Sequence, residues 1–587
     1  MSDKTSKLLK AAGAVAGTGI AGLATYDALQ KKHSIRRNFP VLGWARFGFE
    51  FIRPELRQYF FESNRDGRPF SRDTRTMIYE YAKGLSGEKA FGTEQDISEV
   101  GYDIVRHTMA PVPVMPQEPC QRLGGPDCAQ PYDISLFNIS SMSFGALSAN
   151  AVMAMNKGAA LGGFAQETGE GGLTKYHLKY GADLIWEFGS GYFGCRDDDG
   201  NFDPELFAKK AATPQVKGIM VKISQGAKPG LGGHLPGEKV TEEIAEARHV
   251  PVGQDCISPA AHSAFSTPVE LMNFVGQLRE LSQGKPIGIK FCVGSEIEVL
   301  SLCKAMIETG ICPDWITVDG AEGGTGAAPL EFEDSVGVPL TNGLIIVQNA
   351  LVGAGLRDRF AIGAGGKITG GADVVRRIAL GADFTNSARG MMMATGCVQA
   401  QKCHTNECPT GVATQNPWLQ RGIDVDNKGE RVRNYHVGVM NSAMRILASM
   451  GLSDFKDLGP EHVFHRVDST HSLSYAKLYD WFEPSAFLTG NVPEEWAERW
   501  ERANAHSFTP RARQTPTCLT KTPPAKIRPS QGIMRLIHKG SQPRKISATT
   551  PPRTPAHKNE AAAENQNAEP STFSPAQSPA PPPTATD

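Results

Sequence analysis

Between residues 133 and 390 one pattern recurs: a short β-branched or apolar run, a glycine-rich loop, then an amphipathic stretch of helical period. Eight such runs fall at 136–141, 163–166, 218–223, 251–257, 286–291, 315–318, 359–362 and 384–387. Parallel strands need long crossover connections, usually helices, so eight repeats at this spacing predict an α/β protein built on a (β/α)8 barrel. Such a barrel carries its chemistry on the loops at the C-terminal ends of its strands. Glycines cluster in those loops: 323, 324 and 326 follow the sixth run, 363, 365 and 366 the seventh, and Gly390 the eighth. Three glycine loops at one barrel end suit a phosphate held on backbone amides.

The 587 residues leave room for regions on both sides of the barrel. Lys4, Lys7 and Lys10, then 16 uncharged residues from 11 to 26, then Lys31, Lys32, Arg36 and Arg37, have the charge outline of a membrane-inserted segment. The stretch is short and rich in Ala and Gly, whereas a span needs roughly 20 apolar residues. Residues 1–37 are therefore expected to be a membrane anchor or interfacial helix, with the rest of the chain cytoplasmic. Gly17, Gly19 and Gly22 formally spell a dinucleotide fingerprint, but no strand precedes them. Residues 38–132 read as short helices and irregular chain, with Pro111, Pro113, Pro116 and Pro119 forming an extended connector. A helical segment is expected over 456–505. Residues 506–587 are Pro-, Ser-, Thr- and Ala-rich, with 11 Lys or Arg and no Asp or Glu between 507 and 558, the composition of a disordered basic tail. Net charge is -1, so the molecule's overall field gives no reason to expect nucleic acid as a partner.

Eight of the 11 cysteines are scattered, as expected for reduced thiols, but Cys397, Cys403 and Cys408 share one loop closed by Pro409. Three thiolates from one loop suit an iron–sulfur cluster. Structural zinc needs a fourth ligand; His404 would have to supply it from the position beside Cys403, where tetrahedral geometry is hard to reach. Ordinary buried cysteines remain the third alternative.

The segment 396–415 containing these cysteines resembles the [3Fe-4S] loop of glutamate synthases. Segments 141–148, 168–172, 225–230, 233–237, 257–259 and 323–329 follow the same family's order. The resemblance runs from about 133 to 452 and implies a barrel that binds FMN and a [3Fe-4S] cluster, with Cys397, Cys403 and Cys408 as ligands. It implies flavin contacts from Ser141, Met142, Ser143, Gln225, Lys290, Gly323, Gly324, Thr325, Gly365, Gly366, Ala388 and Arg389. Lys228 and Arg248 match the family's lysine and arginine that hold 2-oxoglutarate, and Glu170 matches its active-site carboxylate. Lys228, Glu170 and Lys290 are thus the expected catalytic residues. His234 stands where the family has glutamine, which motivates a second possibility, the same scaffold acting on another amine or 2-oxo acid. A non-catalytic, membrane-tethered redox module is the third. Nothing before residue 133 resembles a glutamine amidotransferase domain, so free ammonia, another small amine or an ammonia-supplying partner is expected. Electrons are expected from ferredoxin or a separate reductase subunit, since no nicotinamide fingerprint stands in a suitable context.

Overall fold

The structure is a computed structural model, and it describes residues 3–512. The tail expected to be disordered therefore lies, beyond residue 512, outside the described residues. Eight strands close a parallel barrel in the order β5-β6-β7-β8-β1-β2-β3-β4. They are β1 (Phe137–Ile139), β2 (Gln166–Glu167), β3 (Leu184–Phe188), β4 (Val216–Lys222), β5 (Ile287–Phe291), β6 (Trp315–Asp319), β7 (Ala361–Gly365) and β8 (Phe384–Ser387).

Seven of the eight expected runs contribute a barrel strand, and one does not. Residues 251–257 supply only Cys256–Ile257, which pairs antiparallel with His234–Leu235 in an excursion above the barrel. Pro251 and Gly253 break that run before it can extend. The strand that takes its place is β3, whose five residues are all buried. Glu187 gives that run a charged member, which disguises a fully buried strand.

Register partners in a parallel barrel share a face, so the interior sorts into layers. The lower layer is apolar: Ala165, Ile185, Met220, Trp315, Ala361 and Phe384 form one cluster with Leu123 and Ile134. Leu123 and Ile134 come from an antiparallel hairpin, Cys120–Leu123 with Tyr132–Ser135, that plugs the barrel from below. Trp315 lies across the space beside Gly288, where an added Cβ would come within 2.0 Å of the indole. Glycine at 288 thus makes room for the largest side chain of the layer. Above this floor the inward positions turn ionisable, with Glu167, Glu187, Lys222, Lys290 and Asp319 all buried.

Residues 456–505, expected to be helical, also carry two short strands. Strand Asp103–Val105 pairs with Val463–Arg466, which pairs with Ser472–Ser474. The long helix Val425–Ser449 packs on Ala149–Gly162 and Arg72–Ala82. Its approach to Ala149–Gly162 is close, since a Cβ at Gly158 would meet Val432 at 2.6 Å. At the N-terminus, Asp3–Leu29 is one helix, and Gly17, Gly19 and Gly22 lie within it rather than in a strand-to-helix turn. Among the described residues no helix is long and apolar enough to cross a membrane, so a spanning form of the expected anchor or interfacial helix has no support. Helix Gly43–Leu56 and the following turn leave Phe49, Phe51, Phe60 and Phe61 exposed.

Candidate active site

The C-terminal ends of the barrel strands gather the charged layer into one network. Lys290 Nζ lies 3.2 Å from Glu187 Oε2, and both groups are buried. Burial works against the Lys290 ammonium, but Glu187, Asp319 and Glu167 outweigh it and hold its pKa above the usual lysine value. Asp319 accepts from the Gly226 amide at 2.9 Å. Burial raises its carboxyl above the ordinary value, against the opposing pull of Lys290. Glu167 Oε1 accepts from Asn386 Nδ2 at 2.7 Å, and its Oε2 accepts from the Ser141 amide at 2.8 Å. Asn386 Oδ1 and Thr317 Oγ1, also in the barrel, are buried without a hydrogen-bond partner, which leaves polar capacity for a ligand at this level.

The expected flavin residues assemble around this mouth from six strand ends. Ser141, Met142 and Ser143 follow β1, and Gly169 lets them approach, since a Cβ there would stand 2.5 Å from the Ser143 nitrogen. Gln225 Nε2 donates to Thr325 Oγ1 at 3.4 Å, tying the loops after β4 and β6 together. Arg389, just after β8, donates to the Glu322 carbonyl at 2.6 Å and lies over the Phe70 ring. Gly324 yields space to it, as a Cβ there would meet Arg389 Nε at 2.8 Å. Gly365 and Gly366 end β7, with a Cβ at 365 only 3.1 Å from Asp319 Oδ1. The loops that sequence singled out separately are thus one rim, where Ala388 and Arg389 adjoin Gly323, Gly324 and Thr325.

Beside this rim lies a second polar cluster. Glu170 is enclosed by glycine, since a Cβ at Gly189 would come within 2.5 Å of its Oε2 and one at Gly233 within 1.8 Å of its Oε1. Lys222 Nζ, at the end of β4, pairs with Glu170 at 3.1 Å. Burial pushes the Glu170 carboxyl up, but Lys222, Arg248 and Lys228 overrule it and leave it below the ordinary value. Lys228 follows Ala227, whose φ of +64° is a strained conformation for a residue with a side chain. Burial and the like charge of Lys222 lower its pKa, with Glu170 opposing. Arg248 donates from Nη2 to Ser143 Oγ and to the Phe144 carbonyl, both at 3.2 Å, while its Nε is buried without a partner. Glu170, Lys228 and Arg248 therefore meet at one place. His234 does not join them: it is exposed and pairs with Asp255 at 3.1 Å.

The cysteine loop docks directly against these elements. Cys397 follows the short helix after β8, and its amide donates to the Met392 carbonyl at 2.9 Å. Gln415 Nε2 donates to the carbonyls of Gly145 (3.1 Å) and Leu147 (2.8 Å), joining the loop to the one after β1. Lys239, buried, donates to the carbonyls of Ala146, Cys403 and Ala413 at 2.8, 3.2 and 3.2 Å. Burial pulls its pKa down to about 8 despite the nearby Cys403 and Cys408 thiols. Burial pushes the Cys397 thiol up to about 12. At Cys408 burial also opposes ionisation, but hydrogen bonds from the Ala413, Thr410 and Val412 region prevail and its pKa is lowered. Gln399, Gln401 and Asn406 all adopt positive φ, so the loop is held under backbone strain. Among the described residues no three His, Cys, Asp or Glu side chains converge on a single ion. A multi-iron cluster makes a different demand, because each thiolate binds its own iron.

Sequence reasoning missed Glu167, Glu187, Lys222, Asp319 and Lys239. Glu167 and Lys222 were open to notice as charges at the ends of apolar runs facing a glycine loop.

The family model for the conserved region of glutamate synthase matches residues 123–453. A glutamate synthase large subunit-like protein of Bacillus subtilis is 37% identical over 496 residues, covering 78% of this chain and 94% of that protein. An archaeal glutamate synthase [NADPH] of Methanocaldococcus jannaschii is 37% identical over 321 residues, 54% of this chain, and the chain spans 60% of that protein's length. Among solved structures, a doubly substituted flavocytochrome b2 with pyruvate bound aligns at a TM-score of 0.39 and 14% identity, over 76% of this chain and 91% of that one. By the family match and the extent of the Bacillus relationship, the chain belongs to the glutamate synthase family.

Proposed function

We propose that the protein is a glutamate synthase-like oxidoreductase that reduces the imino acid formed from 2-oxoglutarate and ammonia to L-glutamate, using FMN and a [3Fe-4S] cluster. The observation that carries this is the meeting of Arg248, Lys228 and Glu170 beside the rim formed by the loops after β1, β4, β6, β7 and β8.

The residues present fit the flavin. Lys290 rises into the mouth, Ser141, Met142, Ser143, Gln225, Gly323, Gly324 and Thr325 edge it, and Gly365, Gly366, Ala388 and Arg389 would hold the phosphate. The unpartnered Asn386 and Thr317 oxygens would meet its polar atoms. Cys397, Cys403 and Cys408 would hold the cluster, on a loop that touches the one after β1 through Gln415. When bound, the two groups supply single-electron transfer and a hydride donor. The chain's own side chains do the rest. A dicarboxylate buried without cations would be strongly destabilised, and Arg248 and Lys228 are the cations placed to receive it. Arg248 has a free buried Nε with which to do so. Glu170 stays ionised and is placed to accept from the nitrogen of the imine or amine. Holding the acid at fixed orientation converts an encounter into a near-unimolecular reaction.

The reductant is proposed to be ferredoxin or a separate reductase subunit. The archaeal relatives carry NADPH in their names; of the two glycine fingerprints among the described residues, the one at 17–22 lies within a helix and the one at 189–194 follows β3 without opening a helix. Nitrogen would come from ammonia, free or delivered by a partner. His234 lends no support to a different amine or 2-oxo acid, because its side chain is engaged by Asp255 at the surface.

The test is product formation. Chemically reduced holoprotein, given 2-oxoglutarate and ammonium, should yield L-glutamate; yield from methylamine but not ammonium would transfer the reading to an N-alkyl product.

A further inference from the structure

In the upper layer of the barrel, one hydroxyl contacts more carboxyl oxygens than it has protons. Ser141 Oγ lies 2.7 Å from Glu167 Oε2 and also within hydrogen-bonding distance of Glu187 Oε2. A hydroxyl has one hydrogen to donate and an ionised carboxylate has none. With both glutamates ionised, one of the two contacts would have no proton between its oxygens. The count closes when one of the carboxyls carries a proton.

The other contacts show which one. Glu187 Oε2 receives the Lys290 ammonium at 3.2 Å, a partner that favours the ionised form. Glu167 is met only by neutral donors, the Asn386 amide and the Ser141 backbone. The charged groups around it are Glu187 on β3 and Lys290 on β5; Asp319 on β6 also faces Lys290, while Lys222 on β4 is paired with Glu170. Three carboxylates would then face a single unshared cation if all were ionised, and a neutral Glu167 relieves that imbalance.

We propose that Glu167 and Glu187, bridged by the Ser141 hydroxyl, hold one proton that resides on Glu167 and serves as the proton store for reduction at this barrel mouth. This rests on the reading of the mouth as a C=N reduction site, because making an amine from an imine consumes a proton along with a hydride. In the relay the O–H bond at Glu167 Oε2 breaks as one forms at Ser141 Oγ. The hydrogen first on Ser141 passes to Glu187 Oε2, beside Lys290. No electrons move, the three groups keep one shared proton, and a proton given up at the mouth is replaced from water. Burial, with the neighbouring Glu187 charge adding to it and Lys290 opposing, sets the Glu167 carboxyl at about 7, where it both keeps and yields a proton near neutrality.

Infrared spectroscopy of the holoprotein reads the store directly. At pH 6 the wild type should show the C=O band of a protonated carboxyl, shifted by deuterium oxide and absent from Glu167→Gln. Absence of the band in the wild type, a measurement that needs no variant, overturns the proposal, as does its persistence in Glu167→Gln. For the catalytic role, Glu167→Gln should lower kcat about 100-fold, with KM for the 2-oxo acid little changed. An unchanged kcat would make the pair structural only. Presence of the band in a protein that reduces no imino acid would leave the shared proton standing and overturn its assignment to reduction.

Discussion

Gln399 grips the backbone of Phe70 from both sides: its Nε2 donates to the Phe70 carbonyl at 3.0 Å and its Oε1 accepts from the Phe70 amide at 3.1 Å. The same strap continues with Gln58 Nε2 on the Val398 carbonyl, the Tyr79 hydroxyl on the Cys397 carbonyl and Gln401 Nε2 on the Arg68 carbonyl. The N-terminal region is therefore part of the support of the cysteine loop. Replacing Gln399 with Ala removes two hydrogen bonds, roughly 1 to 3 kcal/mol in all, from a loop already strained at three residues. The iron of Gln399→Ala should be lost to a chelator faster than that of the wild type, while FMN content is unchanged; equal rates would show that the strap does not support the loop.

Cys403→Ser separates the two cofactor sites. The variant should purify with FMN and without the cluster's iron and sulfide, since the rim residues are untouched. Full retention of iron would contradict Cys403 as a ligand.

Lys290 and Glu187 are a buried pair, so deleting one charge strands the other. Lys290→Met should cost about 3 to 5 kcal/mol in denaturant unfolding. Adding Glu187→Gln should restore a large part of that loss, and additivity of the two costs would show that they are uncoupled.

Arg248 reaches the proposed acid site with its Nε unpaired. Arg248→Ala should raise KM for 2-oxoglutarate about ten- to a hundredfold, the equivalent of losing one charge-assisted contact of about 1.5 to 3 kcal/mol. A change in kcat alone would place the acid elsewhere.

Glu167 also predicts a pH dependence of stability. In the folded chain its carboxyl keeps a proton up to about pH 7, whereas an unperturbed glutamate titrates near 4.5. Between those values the folded state binds the extra proton, so this group's contribution makes stability fall as pH rises. Thermal unfolding should show a shallower loss between pH 5 and 7.5 in Glu167→Gln than in the wild type. Identical slopes would mean that Glu167 ionises as it does in the unfolded chain.

The barrel was legible in sequence wherever apolar runs alternated with glycine loops, and β8 was located to the residue, 384–387. The glycine loops and the three cysteines were legible because Gly and Cys have few other reasons to cluster. β3 was not, because Glu187 faces the barrel interior, an environment created only when strands distant in sequence close the ring. Lys222, Asp319 and Glu167 were missed for the same reason: a charge at a strand end reads as a surface group until its partners on other strands are known. His234 shows the converse. A motif placed it in the substrate site, but local strand alternation turns its side chain to Asp255, while its neighbour Gly233 faces Glu170.

Reoxidation of the reduced flavin decides whether this barrel reduces an imino acid. Protein purified anaerobically should show flavin and iron–sulfur absorbance, and after photoreduction its flavin should reoxidise on addition of 2-oxoglutarate together with ammonium, but with neither alone. A protein that binds no flavin, or whose reduced flavin is unmoved by any pairing of 2-oxo acid and amine, would rule out the proposed reduction.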